Sequence, residues 1–101
     1  MKIVAITACP TGIAHTYMAA EMLEKTAKKL GHSIKVETQG AMGIENELTK
    51  ADLAAADVCI LAADIAIEKP ERLEKIRKLE VSVQSALKDP AGTIAKAIAL
   101  R

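Results

Sequence analysis

Two short stretches of this chain are apolar at consecutive positions, and they constrain the fold more than any other feature. Lys2-Ile3-Val4-Ala5-Ile6-Thr7 and Asp57-Val58-Cys59-Ile60-Leu61-Ala62-Ala63 lack the polar alternation of a half-exposed strand. Continuous apolarity over so few residues is the pattern of a strand covered on both faces. The covering layers are written between them. Ile13, Tyr17, Ala20, Leu23, Ala27 and Leu30 recur at three- and four-residue steps and predict a helix over Ile13 to Leu30. Glu21–Lys25 and Glu24–Lys28 have the favourable i,i+4 order, and Gly31 suits the C-cap.

The remainder continues the alternation. Ser33-Ile34-Lys35-Val36-Glu37-Thr38 alternates and predicts a second strand at an edge or half-covered position. Gln39 to Leu48, with Gly40 and Gly43, reads as a long loop. Thr49-Lys50-Ala51-Asp52 resembles a capping box that opens a short helix to about Ala56. Pro70 suits the first turn of a charged helix carrying Leu73, Ile76 and Leu79 on one face. Val81-Ser82-Val83 is a candidate fourth strand. Asp89-Pro90 opens a last helix with Ile94, Ala97, Ile98 and Leu100 as its apolar stripe. Strands alternating with helices predict one α/β domain over residues 1–101: a four-stranded parallel sheet in the order 2-1-3-4 with helices on both faces. This is a Rossmann-like or flavodoxin-like three-layer sandwich. Its ligand crevice lies where strands 1 and 3 end.

Composition excludes several classes of function. A net charge of +1 and a single aromatic, Tyr17, supply neither the basic patch nor the stacking platform of a nucleic-acid binder. Two cysteines, Cys9 and Cys59, are too few for a disulfide framework and match no metal-ligand spacing, so a reduced cytoplasmic chain without metal or organic cofactor is expected. No run is long enough to cross a bilayer, so any membrane role is expected to run through a partner.

Cys9 falls where the first strand gives way to the first helix. The four leading N–H groups of a helix lack intrahelical partners and favour negative charge. A thiol near them commonly titrates at roughly 3.5–7.5, which makes it a nucleophile. Gly12 permits close approach of a ligand, Pro10 fixes the turn, and Thr11 and Thr16 can add hydroxyl donors or simply cap. The loop Pro10, Thr11, Gly12, Ile13, Ala14, His15 and Thr16 therefore suits a phosphoryl group held on Cys9. Competing chemistries lack their parts. A CxxC redox centre needs cysteine where Gly12 stands, and a C-x5-R phosphatase needs arginine where His15 stands. A Walker A loop needs a Gly-Lys-Ser/Thr ending. A receiver domain needs carboxylates where Thr7-Ala8-Cys9 stand, although Asp64 would fit its other acidic position.

Cys9-Pro10-Thr11-Gly12-Ile13-Ala14-His15-Thr16-Tyr17-Met18-Ala19-Ala20-Glu21 resembles the active loop and first helix of the fructose-type enzyme IIB of the bacterial phosphoenolpyruvate-dependent sugar phosphotransferase system. The likeness continues through Glu37-Thr38-Gln39-Gly40-Ala41-Met42-Gly43, Asn46-Glu47-Leu48-Thr49 and Ala56-Asp57-Val58. The resemblance implies a phosphocarrier. Cys9 takes a phosphoryl group from a phosphohistidine on a IIA partner and gives it to a sugar, fructose or a fructose-like sugar, held by the membrane-embedded IIC permease. It also implies a cytoplasmic domain, peripheral to the inner membrane through IIC. After Asp64 the sequence departs from the family: its usual Arg-Phe pair and short Gly-Lys turn give way to Glu71-Arg72-Leu73 and a charged segment to Glu80. Leu73 would then replace the aromatic in packing.

The alternatives are a cysteine-dependent phosphatase using the same loop and a regulatory IIB-like module that takes phosphate as a signal. Cys59 reads as a buried, inert thiol. His15 can contact phosphate or tune Cys9, or merely sit in the first helical turn, and His32 is expected in solvent. Asp64 is expected to cap rather than to meet phosphate, and Gln39 and Gly40 to serve the turn. Met18 and Met22 are expected at the core margin or on a partner surface, and Lys28 and Lys29 on a solvated face.

Overall fold

The computed structural model describes residues 1–9, 13–40 and 43–100. The elements run β1 (Lys2–Ala8), α1 (Ile13–Lys29), β2 (Ser33–Gly40), β3 (Gly43–Glu45), α2 (Lys50–Ala55), β4 (Val58–Ala63), a 3₁₀ turn (Pro70–Leu73), β5 (Lys78–Val81), α3 (Val83–Lys88) and α4 (Pro90–Ala99). The α/β class holds. The expected all-parallel four-stranded sheet is corrected to a mixed sheet of five strands in the order β3-β2-β1-β4-β5. β2, β1, β4 and β5 are mutually parallel, and β3 pairs antiparallel with β2. The addition comes from the stretch expected as loop. β2 continues to Gly40, and the chain returns with Gly40 opposite Gly43 and Thr38 opposite Glu45. Gly43 there has φ +86, a left-handed conformation that a side chain would strain.

The consecutive apolar residues of β1 divide between two cores. Ile3 and Ala5 face α1, α3 and α4 and pack with Leu23, Ala27, Val36, Ile60, Val83 and Ile94. Val4 and Ile6 face the other way, onto Leu48, Cys59 and Leu73, with Leu53 of α2 at the margin. On α1 the buried residues are Thr16, Ala19, Ala20, Leu23 and Ala27, whereas Tyr17 and Leu30 of the expected stripe are exposed. Small side chains let the helix lie close on the sheet and leave the larger stripe residues at its margins. Gly31, at φ +86, ends α1 in a Schellman arrangement: His32 N–H donates to the Ala27 carbonyl at 2.9 Å and Gly31 N–H to that of Lys28 at 3.0 Å. His32 is half-buried, with Nδ1 3.3 Å from the terminal amine, rather than simply solvated.

The Thr49–Asp52 capping box is present with both of its bonds. Beyond Asp64 two expectations are corrected. The charged helix from Pro70 is a single 3₁₀ turn, and Leu79 belongs to β5, where it pairs with Ile60. The fourth parallel strand ends at Val81, because the Ser82 hydroxyl accepts from Ser85 N–H at 3.1 Å and opens α3, a helix not anticipated. Asp89 caps α4 as expected, taking Gly92 N–H at 3.0 Å.

Candidate functional site

β1 is the central strand, and the connections on its two sides lie on opposite faces of the sheet, α1 on one and α2 on the other. This reversal opens a crevice at the carboxyl ends of the strands. Cys9 follows the last residue of β1 and is half-buried. It lines a cleft with His15 from α1, Asp64 from the end of β4, and Val83, Gln84 and Leu87 from α3.

α1 is 17 residues long and carries no acidic side chain in its first turn, so no carboxylate competes there for the unpartnered N–H groups. Ala14 and His15 are exposed. Thr16 is buried, and its carbonyl accepts from the Thr7 hydroxyl at 3.1 Å, which ties the end of β1 to the first turn of α1. The Thr16 hydroxyl oxygen is buried without a hydrogen-bond partner among the described residues. Pro10, Thr11 and Gly12, expected in the phosphoryl-binding loop, lie outside the described residues, as does the side chain of Ile13.

Asp64 does what a cap does: its Oδ1 accepts from Val83 N–H at 3.2 Å, and its own N–H donates to the Ala8 carbonyl at 3.0 Å. Met18 and Met22 are 52% and 38% exposed, which places them on the surface rather than at the core margin. The Tyr17 hydroxyl donates to the Glu45 carboxylate, linking α1 to β3 and raising the pKa of Tyr17. Cys59 is fully buried, and burial pushes its thiol up to about 12, so it stays protonated and inert.

A second feature of this end was not anticipated. Glu37 lies in β2 with no exposed surface, and Arg72 grips it with Nη1 and Nη2 at 2.8 and 3.1 Å. Burial alone would raise the Glu37 pKa, but the bonds from Arg72, Gln39 and Leu48 outweigh it and hold the carboxylate below its ordinary value. The available signal was a carboxylate inside the predicted strand Ser33 to Thr38. Its cation stands 35 residues away, beyond the reach of local patterns. Leu73, at 1% exposure, packs in the core with Val4, Ile6 and Leu48.

Among the described residues, no group of three His, Cys, Asp or Glu side chains is arranged to hold a metal. Nor is any helix among them long and apolar enough to cross a membrane.

Fold and site together define a doubly wound α/β domain that presents one cysteine at its switch point. The family described as "PTS system, Lactose/Cellobiose specific IIB subunit" matches residues 4–96. The chain belongs to this family and is a fructose-type IIB phosphotransferase component, a phosphocarrier of sugar phosphotransfer. The Escherichia coli K12 "PTS system fructose-like EIIB component 2" is 54% identical over 87 residues, which cover 86% of this chain and 82% of that protein. The "PTS system 2-O-alpha-mannosyl-D-glycerate-specific EIIABC component" of the same strain is 50% identical over 99 residues, covering 98% of this chain but 15% of that protein. A domain of the fructose-specific IIABC component of Borrelia burgdorferi superposes with a TM-score of 0.93 at 47% identity, over 99% of this chain and 95% of that one.

Proposed function

We propose that residues 1–101 form one IIB domain in which Cys9 accepts a phosphoryl group from the phosphohistidine of a IIA donor. It passes the group to fructose, or a fructose-like sugar, held by a membrane-embedded IIC permease. The Cys9 thiolate attacks phosphorus as the N–P bond breaks and the histidine imidazole leaves. A sugar hydroxyl then attacks the phosphocysteine, the S–P bond breaks, and the thiolate is restored as the hydroxyl proton is lost. The domain works in the cytoplasm and meets the inner membrane through IIC. Residues Pro10 to Thr16 cradle the phosphoryl group. Electrostatic stabilisation by fixed N–H donors is the main help such a transfer needs from this chain.

The observation that carries this reading is the placement of Cys9. It stands half-exposed between the end of β1 and the start of α1, with no first-turn carboxylate to repel phosphate. A hydrolase would want an arginine over the phosphate, but both arginines among the described residues are engaged: Arg72 by Glu37, and Arg77 by the Leu100 carbonyl, to which it donates at 3.0 Å. Incubation with phosphoenolpyruvate, the general phosphotransferase proteins and a fructose-type IIA should add one phosphate, mapped by mass spectrometry to Cys9. Cys9→Ser should remain folded and take none. Normal sugar phosphorylation by that variant would falsify the assignment. Steady release of phosphate from an aryl phosphate, blocked by Cys9→Ser, would identify a phosphatase instead.

A further inference from the structure

We infer that Gln39 is a positioning residue for transfer at Cys9, locked in place by the buried Glu37–Arg72 pair; the inference rests on the reading of Cys9 above. The Glu37 carboxylate receives four hydrogen bonds: two from the Arg72 fork at 2.8 and 3.1 Å, one from Leu48 N–H at 2.9 Å and one from Gln39 Nε2 at 2.7 Å. Taking both ions out of water is costly, and a well-packed apolar pair often stabilises a core as well or better. Stability alone therefore does not account for the pair, whereas a fully satisfied polar network fixes a unique geometry.

What the network fixes is the backbone around the end of the sheet. Both ends of the Gln39 amide are bound to Glu68: Oε1 accepts from its N–H at 2.7 Å, and Nε2 donates to its carbonyl at 3.3 Å. Arg72 adds Nη2 to the Glu68 carbonyl at 3.2 Å and Nε to the Lys69 carbonyl at 2.9 Å. Lys69 is held at φ 55, a left-handed conformation uncommon for a residue with a side chain, and its Nζ reaches Glu47 at 2.9 Å. Two separate loops are thus pinned to the last residues of β2.

Those residues adjoin the nucleophile. Gln39 stands opposite Ala8 in the parallel ladder, and Ala8 is followed by Cys9. On the other side the Ala8 carbonyl accepts from Asp64 N–H at 3.0 Å. The next residue of β2, Gly40, pairs with Gly43 of β3. Gln39 therefore acts through the backbone of Ala8 and through the β2–β3 hairpin, without touching phosphorus. In-line transfer between two proteins tolerates little misplacement of the attacking atom, so a loosened Ala8–Gln39 end slows transfer without changing the thiol.

Gln39→Leu removes the amide bonds and keeps the bulk; the Glu68 N–H loses its partner, while the Glu68 carbonyl keeps Arg72. In the intact chain, single-turnover transfer from phosphorylated IIA to Cys9 should fall about 10-fold or more at saturating donor, the scale expected of a mispositioned reacting group. The donor concentration at half-maximal rate and the alkylation rate of Cys9 by iodoacetamide should each change less than about 2-fold, because neither the docking face nor the thiol is altered. Arg72→Lys keeps the charge but loses the fork, and should give a smaller fall. Lower thermal stability with an undiminished rate per folded molecule overturns the inference, and so does an equal loss of transfer and alkylation. Failure of the unsubstituted chain to accept phosphate would sink the reading of Cys9 instead. The Ala8 and Cys9 amide resonances then decide for Gln39: shifts in Gln39→Leu larger than in Leu53→Ala support positioning, and shifts no larger overturn it.

Discussion

Cys9 and Cys59 belong to neighbouring strands of one sheet, yet the sheet makes them chemically different groups. Cys59 is the second residue of β4, held in register between Val4 and Lys78, and has no exposed surface. Burial sets its thiol at about 12, with Lys78 lowering it, Glu37 raising it and Arg72 lowering it by lesser amounts. Cys9 stands one residue past the end of β1, where the ladder has ended and α1 has not begun. It is half-buried and meets a cleft that Cys59 does not reach. Position along a parallel strand, rather than residue type, separates a core thiol from one that meets a cleft.

The sharpest way to break this contrast is to exchange the thiols for hydroxyls. Cys9→Ser should lower phosphate acceptance by at least about 10³-fold, since it removes the thiol we propose as nucleophile. Cys59→Ser should leave acceptance per folded molecule within about 2-fold, because Cys59 is remote from the reacting atoms. A Cys59→Ser protein that folds but takes no phosphate would end the contrast. Next in size is alkylation. A thiol at about 12 is thiolate in only about one molecule in 10⁴ at pH 8, and burial blocks the reagent as well. Peptide mapping after iodoacetamide should find Cys9 modified at least about 100-fold faster in the native protein, with the preference largely lost in urea. Comparable native rates would show that β4 opens readily.

Smaller effects sharpen the comparison through stability. Cys59→Ser buries a hydroxyl in an apolar core and should cost about 1–3 kcal/mol in urea denaturation. Cys9→Ser, at a half-exposed position, should cost less; the reverse order would contradict the assigned burial. The smallest effect concerns the charges near Cys59. Glu37 titrates lower in the folded chain than its ordinary value of 4.5. The stabilisation from this shift is therefore complete above that value and fades as pH falls through the lower folded one. Stability measured between pH 6 and pH 3 should decline, and Glu37→Gln should decline less steeply. Parallel pH profiles for the two proteins would remove Glu37 from the account.

Much of this architecture was legible because it is written in neighbouring residues. The unbroken apolarity of Lys2–Thr7 anticipated a two-faced strand, and Ile3 and Val4 do enter different cores. Gly31, the Thr49–Asp52 box and Asp89 each act as the caps their positions suggested. The errors fall where local preference yielded to pairing. Gly43–Glu45 carries no strong strand pattern and becomes a strand because β2 offers it an edge. Leu73, Ile76 and Leu79 have helical spacing, but Leu79 and Val81 are drawn into β5 by the free side of β4. At the site, Cys9, His15 and the capping role of Asp64 were readable from their places at element ends, whereas Gln84 and Leu87 were not, since α3 itself was unforeseen.

By itself the sequence determined that strands and helices alternate, that a cysteine closes the first strand, and that no arginine follows it in the loop. These follow from preferences acting over a few residues. Only the tertiary structure decided that Glu37 would be a buried anion rather than a solvated strand residue. It also decided that Arg72 would be its cation and that Gln39 would stand beside the residue before Cys9. A carboxylate can be buried only where a cation and backbone donors arrive together to replace water. Here the cation, Arg72, and the backbone donor, Leu48 N–H, come from two segments that only the closed fold brings to Glu37.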